Sequence, residues 1–209
     1  MCGRFALVTD LTKISEEFNV RNTLSGFKAD WNISPGQHIP AVIHRDEQNV
    51  LESFLWGLIP SWAKDPSIGN KLINARAETI HEKLSFRTAF KRRRCLIVAD
   101  GFYEWKTEGR KKTPLYFYLK SGEPFGLAGL YETWMSPDNK QVHTCTIITT
   151  DANTLILPIH DRMPVIVPKE QERTWINTDI EDKTILLPIL KPYPADQMAH
   201  KIGMGPKFI

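Results

Sequence analysis

The stretch "CLIVADGFYEW" (residues 95–105) decides the fold class, because it begins a series of strand-like runs in the middle of the chain. It is followed by "PLYFYLK" (114–120), "FGLAGLYETW" (125–134) and "HTCTIITT" (143–150), which are rich in aromatic and β-branched residues. Polar turn segments rich in Gly, Pro and charged residues separate them. Short connections between such runs predict antiparallel meanders.

Elements on either side of this region complete the expected architecture. "TDLTKISEEF" (9–18) has Leu11, Ile14 and Phe18 at helical spacing after a capping Thr9 or Asp10. Strands are expected at 38–44, 50–59 and 163–167, and loops at 27–37 and 60–71. "LINARAETI" (72–80) is expected to run from a strand into a helix that continues through 85–94. Further helices are expected at 152–160, 168–176 and 181–190. With sequential strands and peripheral helices, we expect residues 1–209 to form one α+β domain on a curved antiparallel sheet.

Composition narrows the class of protein. The 209 residues carry a formal charge of only +3 and are 42% hydrophobic, enough for one sizeable core. Cys2, Cys95 and Cys145 form no CxxC pair, so neither a zinc site nor a disulfide framework is expected. Because the chain shows neither a secretory signal nor an apolar run of about 20 residues, we expect no membrane association. The expected location is the cytoplasm, with nucleoid association when the protein is bound to DNA.

Cys2 is the first candidate reactive residue. Loss of Met1 would leave an α-amine and a thiol on adjacent carbons, with ordinary pKa values of about 7.7–8.0 and about 8.5. Such a 1,2-aminothiol captures an aldehyde in two steps, a Schiff base and then a five-membered thiazolidine ring. On its own, Cys2 equally fits a small hydrophobe that starts a strand.

Four further residues carry suitable chemistry. Asn74 and Arg76 share one face of an extended segment and suit an oxygen-rich anionic ligand. Glu104 lies among aromatic residues, where desolvation raises a carboxyl pKa and favours general acid–base work. His160 titrates near neutrality, with an ordinary pKa of about 6.5. The structural alternatives are a helix cap for Asn74, a surface carboxylate for Glu104 and a loop position for His160.

Two basic clusters indicate a nucleic-acid partner. They are "KRRR" (91–94) and "GRKK" (109–112), and aromatic residues with prolines occur in "WNISPGQ" (31–37) and "IPSWAKDP" (59–66). Basic side chains contact phosphates while rings stack on bases, a combination that suits single-stranded nucleic acid. The alternative is a solvated helix face.

Taken together, six motifs resemble one known family. "MCGRF", "WNISPG", "WGLIPSW", "INARAET", "ADGFYEW" and "IHDRMPVI" occur in the order typical of the SOS response-associated peptidase (SRAP) family. The resemblance runs from residue 1 to about residue 168. It implies a barrel-like β-structure with a positively charged groove, and a protein that senses and shields abasic sites in single-stranded DNA through a thiazolidine crosslink.

The resemblance also implies roles for individual residues. Cys2 would be the nucleophile, Asn74 would orient the N-terminus and the sugar, Glu104 would be the acid–base residue, and His160 would assist sugar opening and proton transfer. The implied DNA-binding residues, which include phosphate or site-organising arginines and groove residues, are Arg4, Pro35, Trp62, Arg76, Trp105, Thr149 and Arg162.

Alternatives from other functional classes remain open at this point. An N-terminal-nucleophile amidohydrolase would use the free amine as base for the Cys2 thiol. A non-covalent binder of modified DNA would need the basic groove but not Cys2. We expect no cofactor, no metal and no obligate protein partner. Schiff-base chemistry would also permit an abasic-site lyase side activity.

Overall fold

A computed structural model describes residues 2–205. Within them, the strands and helices are β1 (Phe5–Leu7), α1 (Leu11–Glu17), β2 (Asp30–Ile33), β3 (His38–Arg45), β4 (Gln48–Trp56), β5 (Asn74–Arg76), α2 (Arg87–Arg92), β6 (Arg94–Ala99), β7 (Gly101–Glu108), β8 (Lys111–Leu119), β9 (Phe125–Met135), β10 (Gln141–Asp151), β11 (Arg162–Pro164), α3 (Glu172–Ile176), α4 (Lys183–Leu186) and β12 (Met198–Ile202). Short 3₁₀ turns lie between several of them.

Five strands close into a barrel. They pair in the order β10-β4-β3-β6-β9, and β9 pairs with β10 again to complete the ring. Closure leaves no free edge among these strands, so their backbone groups are satisfied by one another. The expected α+β fold with a curved, barrel-like β-structure and peripheral helices is therefore confirmed.

A second sheet carries the N-terminal strand. Its order is β12-β8-β7-β1-β2, so β1 lies between β7 and β2. Phe5 pairs with Phe102 and with Ile33, and the backbone N–H of Tyr103 donates to the carbonyl of Arg4 at 2.9 Å. This pairing holds the first residues of the chain beside the start of β7.

The Asp-Gly step between β6 and β7 fixes this arrangement. Asp100 accepts hydrogen bonds from the backbone N–H of Thr9 at 2.9 Å and from its hydroxyl at 2.7 Å. A Cβ atom on Gly101 would lie 2.4 Å from the ring of Tyr116 and 2.5 Å from the carbonyl oxygen of Phe117. Only glycine fits there without displacing β8, which explains the "ADG" of the opening stretch.

Several expectations about local structure are confirmed. Asp10 caps α1 through the N–H groups of Thr12 and Lys13, as an N-terminal aspartate should. The strands expected at 38–44 and 50–59 are β3 and β4, and the central runs form β6 to β10. The cysteines are buried free thiols, so no disulfide links them.

Other expectations were wrong. Residues 30–33, expected in a loop, form β2, because the Pro-Gly turn signal is confined to the Ser34–Gln37 turn after it. The helix expected through 85–94 covers only Arg87–Arg92. Residues 152–160 form turns in place of a helix: Asn153 accepts the N–H groups of Leu155 and Ile156 as a helix cap does, but Pro158 has no N–H to continue the helical hydrogen bonds.

The strand pairing is also less uniform than expected. β10 pairs in parallel with β4 and with β5, whereas a meander predicts antiparallel neighbours only. The last strand, β12, pairs with β8 and was not expected from its sequence. Both β4 and β5 therefore run in the same direction as β10.

Candidate functional site

Cys2 lies just before β1 and is fully buried. Its side chain packs in the main hydrophobic core, and burial raises the pKa of its thiol well above the ordinary value. The carboxylate of Glu104 raises that pKa further, which shows that the two groups are electrostatic neighbours. In the unprocessed chain the thiol is therefore protonated at neutral pH, as the packing alternative for Cys2 also requires.

Asn74 contacts Cys2 directly. Its amide Nδ2 donates to the carbonyl oxygen of Cys2 at 2.9 Å and to that of Ile73 at 2.7 Å. Its Oδ1 is buried without a hydrogen-bond partner among the described residues. Because an unpaired buried carbonyl oxygen is costly, this atom is suited to accept a hydrogen bond from a bound molecule.

Glu104 occupies the inner part of β7 and is 4% exposed. Burial raises the pKa of its carboxyl to about 7, and the negative charge of Asp161 contributes in the same direction. Near neutral pH such a group exists in both protonation states, which is what general acid–base catalysis needs. The expectation of a desolvated carboxyl among aromatic residues is confirmed.

His160 lies at the end of the turn segment before β11 and is half-buried. Its Nδ1 accepts a hydrogen bond from the backbone N–H of Arg162 at 2.9 Å. The neutral ring therefore carries its proton on Nε2. Burial, the largest cause, lowers the pKa of His160, so the ring is mostly neutral at pH 7.

Arg162 is buried, and both Nη atoms of its guanidinium form hydrogen bonds. Its guanidinium forms ion pairs at 2.8 Å with Glu78 and at 2.8 Å with Asp151, and it donates to the carbonyl of Thr149 at 2.7 Å. Only 6% of Arg162 is exposed. Of the two roles expected for this arginine, this geometry matches the site-organising one.

The remaining polar candidates lie on neighbouring strands. Arg76 is exposed on β5, where it pairs in register with the buried Thr149 of β10. Asn74 and Arg76 are two residues apart on β5, so the expected shared face is confirmed. Arg4 donates to Asn32 of β2 at 2.9 Å at the surface, and half-buried Pro35 lies in the turn after β2.

Two tryptophans differ in their surroundings. Trp62 is 52% exposed on the excursion between β4 and β5. The base of that excursion is fixed where the N–H of Leu58 donates to the carbonyl of Leu72, close to Asn74. Trp105 is half-buried on β7 beside Glu104, and it faces Pro114 of β8.

The "KRRR" cluster is divided between the surface and the interior, with Lys91 and Arg92 exposed. Arg94 is fully buried, Arg93 forms an ion pair with Glu132 at 2.7 Å, and Arg92 forms one with Glu181 at 2.9 Å. The "GRKK" cluster, in contrast, lies at the exposed tip of the β7–β8 hairpin.

Sequence reasoning assigned no role to Glu78, Asp151 or Asp161. The missed signal for Glu78 is its position two residues after Arg76, which continues the alternation that begins at Asn74. Asp151 was not recognisable, because its contact with Arg162 depends on the pairing of β10 with β11.

Within residues 2–205 no group of His, Cys, Asp and Glu side chains is suited to hold a metal ion, and no helix is long and apolar enough to cross a membrane.

Fold and site together define a class of protein: a β-barrel domain whose second residue is a cysteine held beside an amide and a carboxyl. The family model described as SOS response associated peptidase (SRAP) matches residues 1–202. The chain belongs to this family.

Relatives and solved structures agree with this membership. The chain is 47% identical over 201 residues to the abasic site processing protein YoqW of Bacillus subtilis, covering 95% of this chain and 90% of YoqW. It is 33% identical over 153 residues to the abasic site processing protein YedK of Escherichia coli, covering 73% and 67%. A crystal structure of a Bacteroides thetaiotaomicron protein superposes with a TM-score of 0.90 at 29% identity, covering 96% of this chain and 91% of that one.

Proposed function

We propose that this protein processes abasic sites in single-stranded DNA by forming a covalent thiazolidine link between Cys2 and the ring-opened sugar. The observation that carries the proposal is the meeting of distant groups at Cys2. Asn74 donates to its carbonyl, Glu104 interacts electrostatically with its thiol, and Asp161 next to His160 acts in turn on Glu104. Relatives named as abasic site processing proteins support the substrate.

Loss of Met1 is the first step of the proposed mechanism. Met1 itself lies outside the described residues, but in the full sequence its peptide bond occupies the nitrogen of Cys2. The free α-amine then attacks the sugar aldehyde, and expulsion of water gives an imine. Because the thiol is protonated and buried, the amine reacts first, and the S–H then adds across the C=N bond to close the ring.

The neighbouring groups supply protons for these steps. Protonated Glu104 donates to the departing hydroxyl of the carbinolamine, as its raised pKa of about 7 permits. The Nε2–H of His160 assists opening of the sugar ring, and Asn74 Oδ1 accepts a hydrogen bond from the amine or the sugar. If β-elimination precedes ring closure, the imine instead breaks the strand, giving a lyase side activity.

DNA is bound through exposed groups around this corner. Arg4 and Arg76 contact phosphates, Trp62 stacks on a base, and Pro35 and Trp105 line the groove. Arg162 and Thr149 are buried, so they support the residues that contact DNA and do not contact it themselves. The phosphate contacts contribute most of the affinity and make it dependent on salt.

The test combines a gel assay with intact mass. Wild-type protein mixed with single-stranded DNA bearing an abasic site should give a heat-stable shifted band, and its mass should show loss of Met1 and addition of one DNA strand. Cys2→Ala should bind the DNA without forming that band, and intact DNA should give none. If wild type and Cys2→Ala give the same gel shift and detergent abolishes it, the protein binds the DNA only non-covalently.

The same protein preparations distinguish an amidohydrolase from a protein that forms a crosslink with DNA. The family name includes the word peptidase, which favours removal of Met1 by the protein itself. Self-removal predicts that Glu104→Gln retains Met1 in a host lacking methionine aminopeptidase activity toward this chain. Turnover of small amides without DNA would assign a general hydrolase and contradict the crosslinking proposal.

A further inference from the structure

Four hydrogen bonds hold the guanidinium of Arg162. Nη1 donates to Glu78 Oε1 and to Asp151 Oδ1, each at 2.8 Å. Nη2 donates to Glu78 Oε2 at 3.0 Å and to the carbonyl of Thr149 at 2.7 Å. The pair with Glu78 is therefore bidentate, the arrangement that most strictly orients an arginine side chain.

The cluster holds Arg162 in place, while Arg76 stays exposed to solvent. Two carboxylates, those of Glu78 and Asp151, engage the guanidinium of Arg162. Arg76 lies near enough to lower the pKa of Glu78, and within residues 2–205 no hydrogen bond or ion pair engages its own guanidinium. Arg76 is therefore available to a ligand, whereas Arg162 serves the protein itself.

The backbone of Arg162 controls the imidazole two residues before it. Its N–H donates to His160 Nδ1 at 2.9 Å, which requires that nitrogen to be unprotonated. Asp161 Oδ1 also lies 2.9 Å from Nδ1 and favours a proton there. Because the side chain of Asp161 is 81% exposed, solvent screens its effect. Which nitrogen carries the proton thus depends on the balance between the N–H of Arg162 and the carboxylate of Asp161.

We propose that Glu78 is a positioning residue for His160 in the crosslinking reaction proposed above, on which this inference rests. By binding Arg162 through both carboxylate oxygens, Glu78 keeps the N–H of Arg162 on Nδ1 and the proton of the neutral ring on Nε2. The same short segment also carries Asn74, which contacts Cys2. One segment therefore orients the nucleophile through Asn74 and the imidazole through Glu78.

The segment itself is firmly attached to the barrel. The N–H of Ala77 donates to the carbonyl of Thr149 at 2.9 Å, and that carbonyl also accepts from Arg162. The backbone on either side of Glu78 is thus fixed independently of its carboxylate. A change confined to the carboxylate should disturb Arg162 without releasing β5.

Glu78→Gln tests the proposal, with Glu123→Gln as the matched control. Both glutamate side chains are 47% exposed and ion-paired, Glu78 with Arg162 and Glu123 with Lys13 at 2.7 Å, but Glu123 lies outside the site. The measurements are the ¹⁵N chemical shifts of the His160 ring, the crosslinking rate at saturating abasic DNA, the affinity for intact single-stranded DNA, and the melting temperature.

The expected result separates positioning from stability and binding. In Glu78→Gln the ring shifts should show a mixture of Nδ1–H and Nε2–H forms, and the crosslinking rate should fall about tenfold, part of what acid–base residues contribute. Affinity for intact DNA should stay the same or rise, because a negative charge is lost. Glu123→Gln should match wild type in every measurement.

Other results overturn the proposal. Unchanged ring shifts in Glu78→Gln mean that Glu78 does not set the tautomer, whatever happens to the rate. Should this variant fail to fold, Asp151→Asn removes the other carboxylate and must give a smaller shift in the same direction. If wild-type protein itself forms no crosslink, the proposed function fails, and the ring shifts alone then decide whether Glu78 positions His160.

Discussion

At the residue scale, burial sets the protonation of the three titratable groups at the proposed site. It raises the pKa of the Cys2 thiol well above its ordinary value, raises that of Glu104 to about 7 and lowers that of His160. At neutral pH the thiol is protonated, the carboxyl is divided between its two forms and the imidazole is neutral. Glu104 is thus the group of the three that donates a proton most readily.

Glu104→Gln should slow crosslinking, and the size of the effect should depend on pH. Because the pKa of Glu104 is about 7, the carboxyl holds its proton below that pH and loses it above. The ratio of the wild-type rate to the variant rate should be about 100 at pH 6 and should decrease above pH 7. Single-turnover crosslinking rates from pH 5.5 to pH 8.5 measure it.

Glu172→Gln provides the control for this measurement. Glu172 is also buried with a pKa raised to about 7, but it lies on α3 beside Lys169. Its replacement should leave the crosslinking profile unchanged. A rate ratio for Glu104→Gln that grows with pH would instead make Glu104 a base.

The candidate residues could be proposed from sequence because each carries recognisable chemistry. Cys2, Asn74, Glu104 and His160 could be named one at a time, and the order of the motifs joined them. Their partners could not, because the contacts join positions far apart in the chain. Arg162 and Glu78, for example, are separated by 84 residues, and no local pattern marks the pair.

At the element scale, the excursion between β4 and β5 presents Trp62 to solvent on a rigid base. Ala63 beside it is buried, and its carbonyl accepts the indole N–H of Trp134 at 2.7 Å. A Cβ atom on Gly69 would lie 2.8 Å from the carbonyl oxygen of Gly57, so the two ends of the excursion approach as closely as backbones can. An aromatic ring held in this way loses little entropy when a base stacks on it.

Trp62→Ala should weaken binding to intact single-stranded DNA by about 1–3 kcal/mol, the usual contribution of one base stacked on an aromatic ring. The melting temperature should barely change, because the ring is half exposed. Fluorescence anisotropy with a labelled oligonucleotide measures the affinity. Ile185→Ala, which removes a side chain 47% exposed on α4, should bind like wild type. Equal affinities for both variants would show that Trp62 does not contact the DNA.

Arg94 joins the ends of two helices to β6. It donates to the carbonyls of Phe90 and Lys91 at the end of α2, and to those of Trp175, Asn177 and Ile180 in and after α3. The carbonyls at a helix C-terminus lack partners within the helix, so one buried guanidinium satisfies two ends. Burial lowers its pKa to about 10, which still leaves it charged at neutral pH.

Arg94→Lys should reduce the free energy of unfolding by about 3 kcal/mol, because one ammonium cannot reach this set of carbonyls. Arg92→Lys should change it by less than about 0.5 kcal/mol, since that ion pair is exposed. Urea denaturation of both variants measures the difference. Equal stabilities would show that the guanidinium of Arg94 contributes no more to the fold than an ammonium does.

Composition alone could not distinguish these arginines. The four consecutive basic residues lie at the junction of α2 and β6, where the direction of each side chain changes from one residue to the next. Whether a given arginine points inward depends on the helix that packs above it. That helix, α3, lies about 80 residues later in the sequence.

At the scale of the whole molecule, stability should depend on pH through its buried carboxyls. The pKa of Glu172 is raised by burial from 4.5 to about 7, and Lys169 only partly offsets this effect. The folded state therefore binds the proton more tightly than the unfolded state. This contribution to stability is complete below pH 4.5 and is lost as the pH rises toward 7.

Glu172→Gln should therefore become more stable relative to wild type as the pH rises. Between pH 5 and pH 8 the relative gain should be about 1–3 kcal/mol, the upper figure corresponding to the full pKa difference. Urea denaturation at both pH values measures it. The exposed neighbour Glu170 is the control position, and Glu170→Gln should have the stability of wild type at both pH values. A wild-type protein more stable at pH 8, with Glu172→Gln falling behind, would reverse the inferred sign.

The overall class of fold was accessible from sequence, but its closure was not. Short turns between strand-like runs predict a meander, and the hairpins β7–β8 and β9–β10 follow that pattern, although β8 and β9 lie in different sheets. The barrel closes through the parallel pair of β10 and β4, which links strands separated by an excursion and five other strands. Parallel neighbours leave no turn signal, so this pairing was visible only in the folded molecule.

The pairing of β1 with β7 has a consequence for the order of events during protein synthesis. The ribosome delivers Cys2 first, yet its carbonyl meets an amide 72 residues later, and the N–H that binds Arg4 belongs to Tyr103. His160 emerges later still. In the proposed mechanism, the groups that assist Cys2 would therefore come together only after the chain has been completed and folded, so the reaction would begin only in the finished protein.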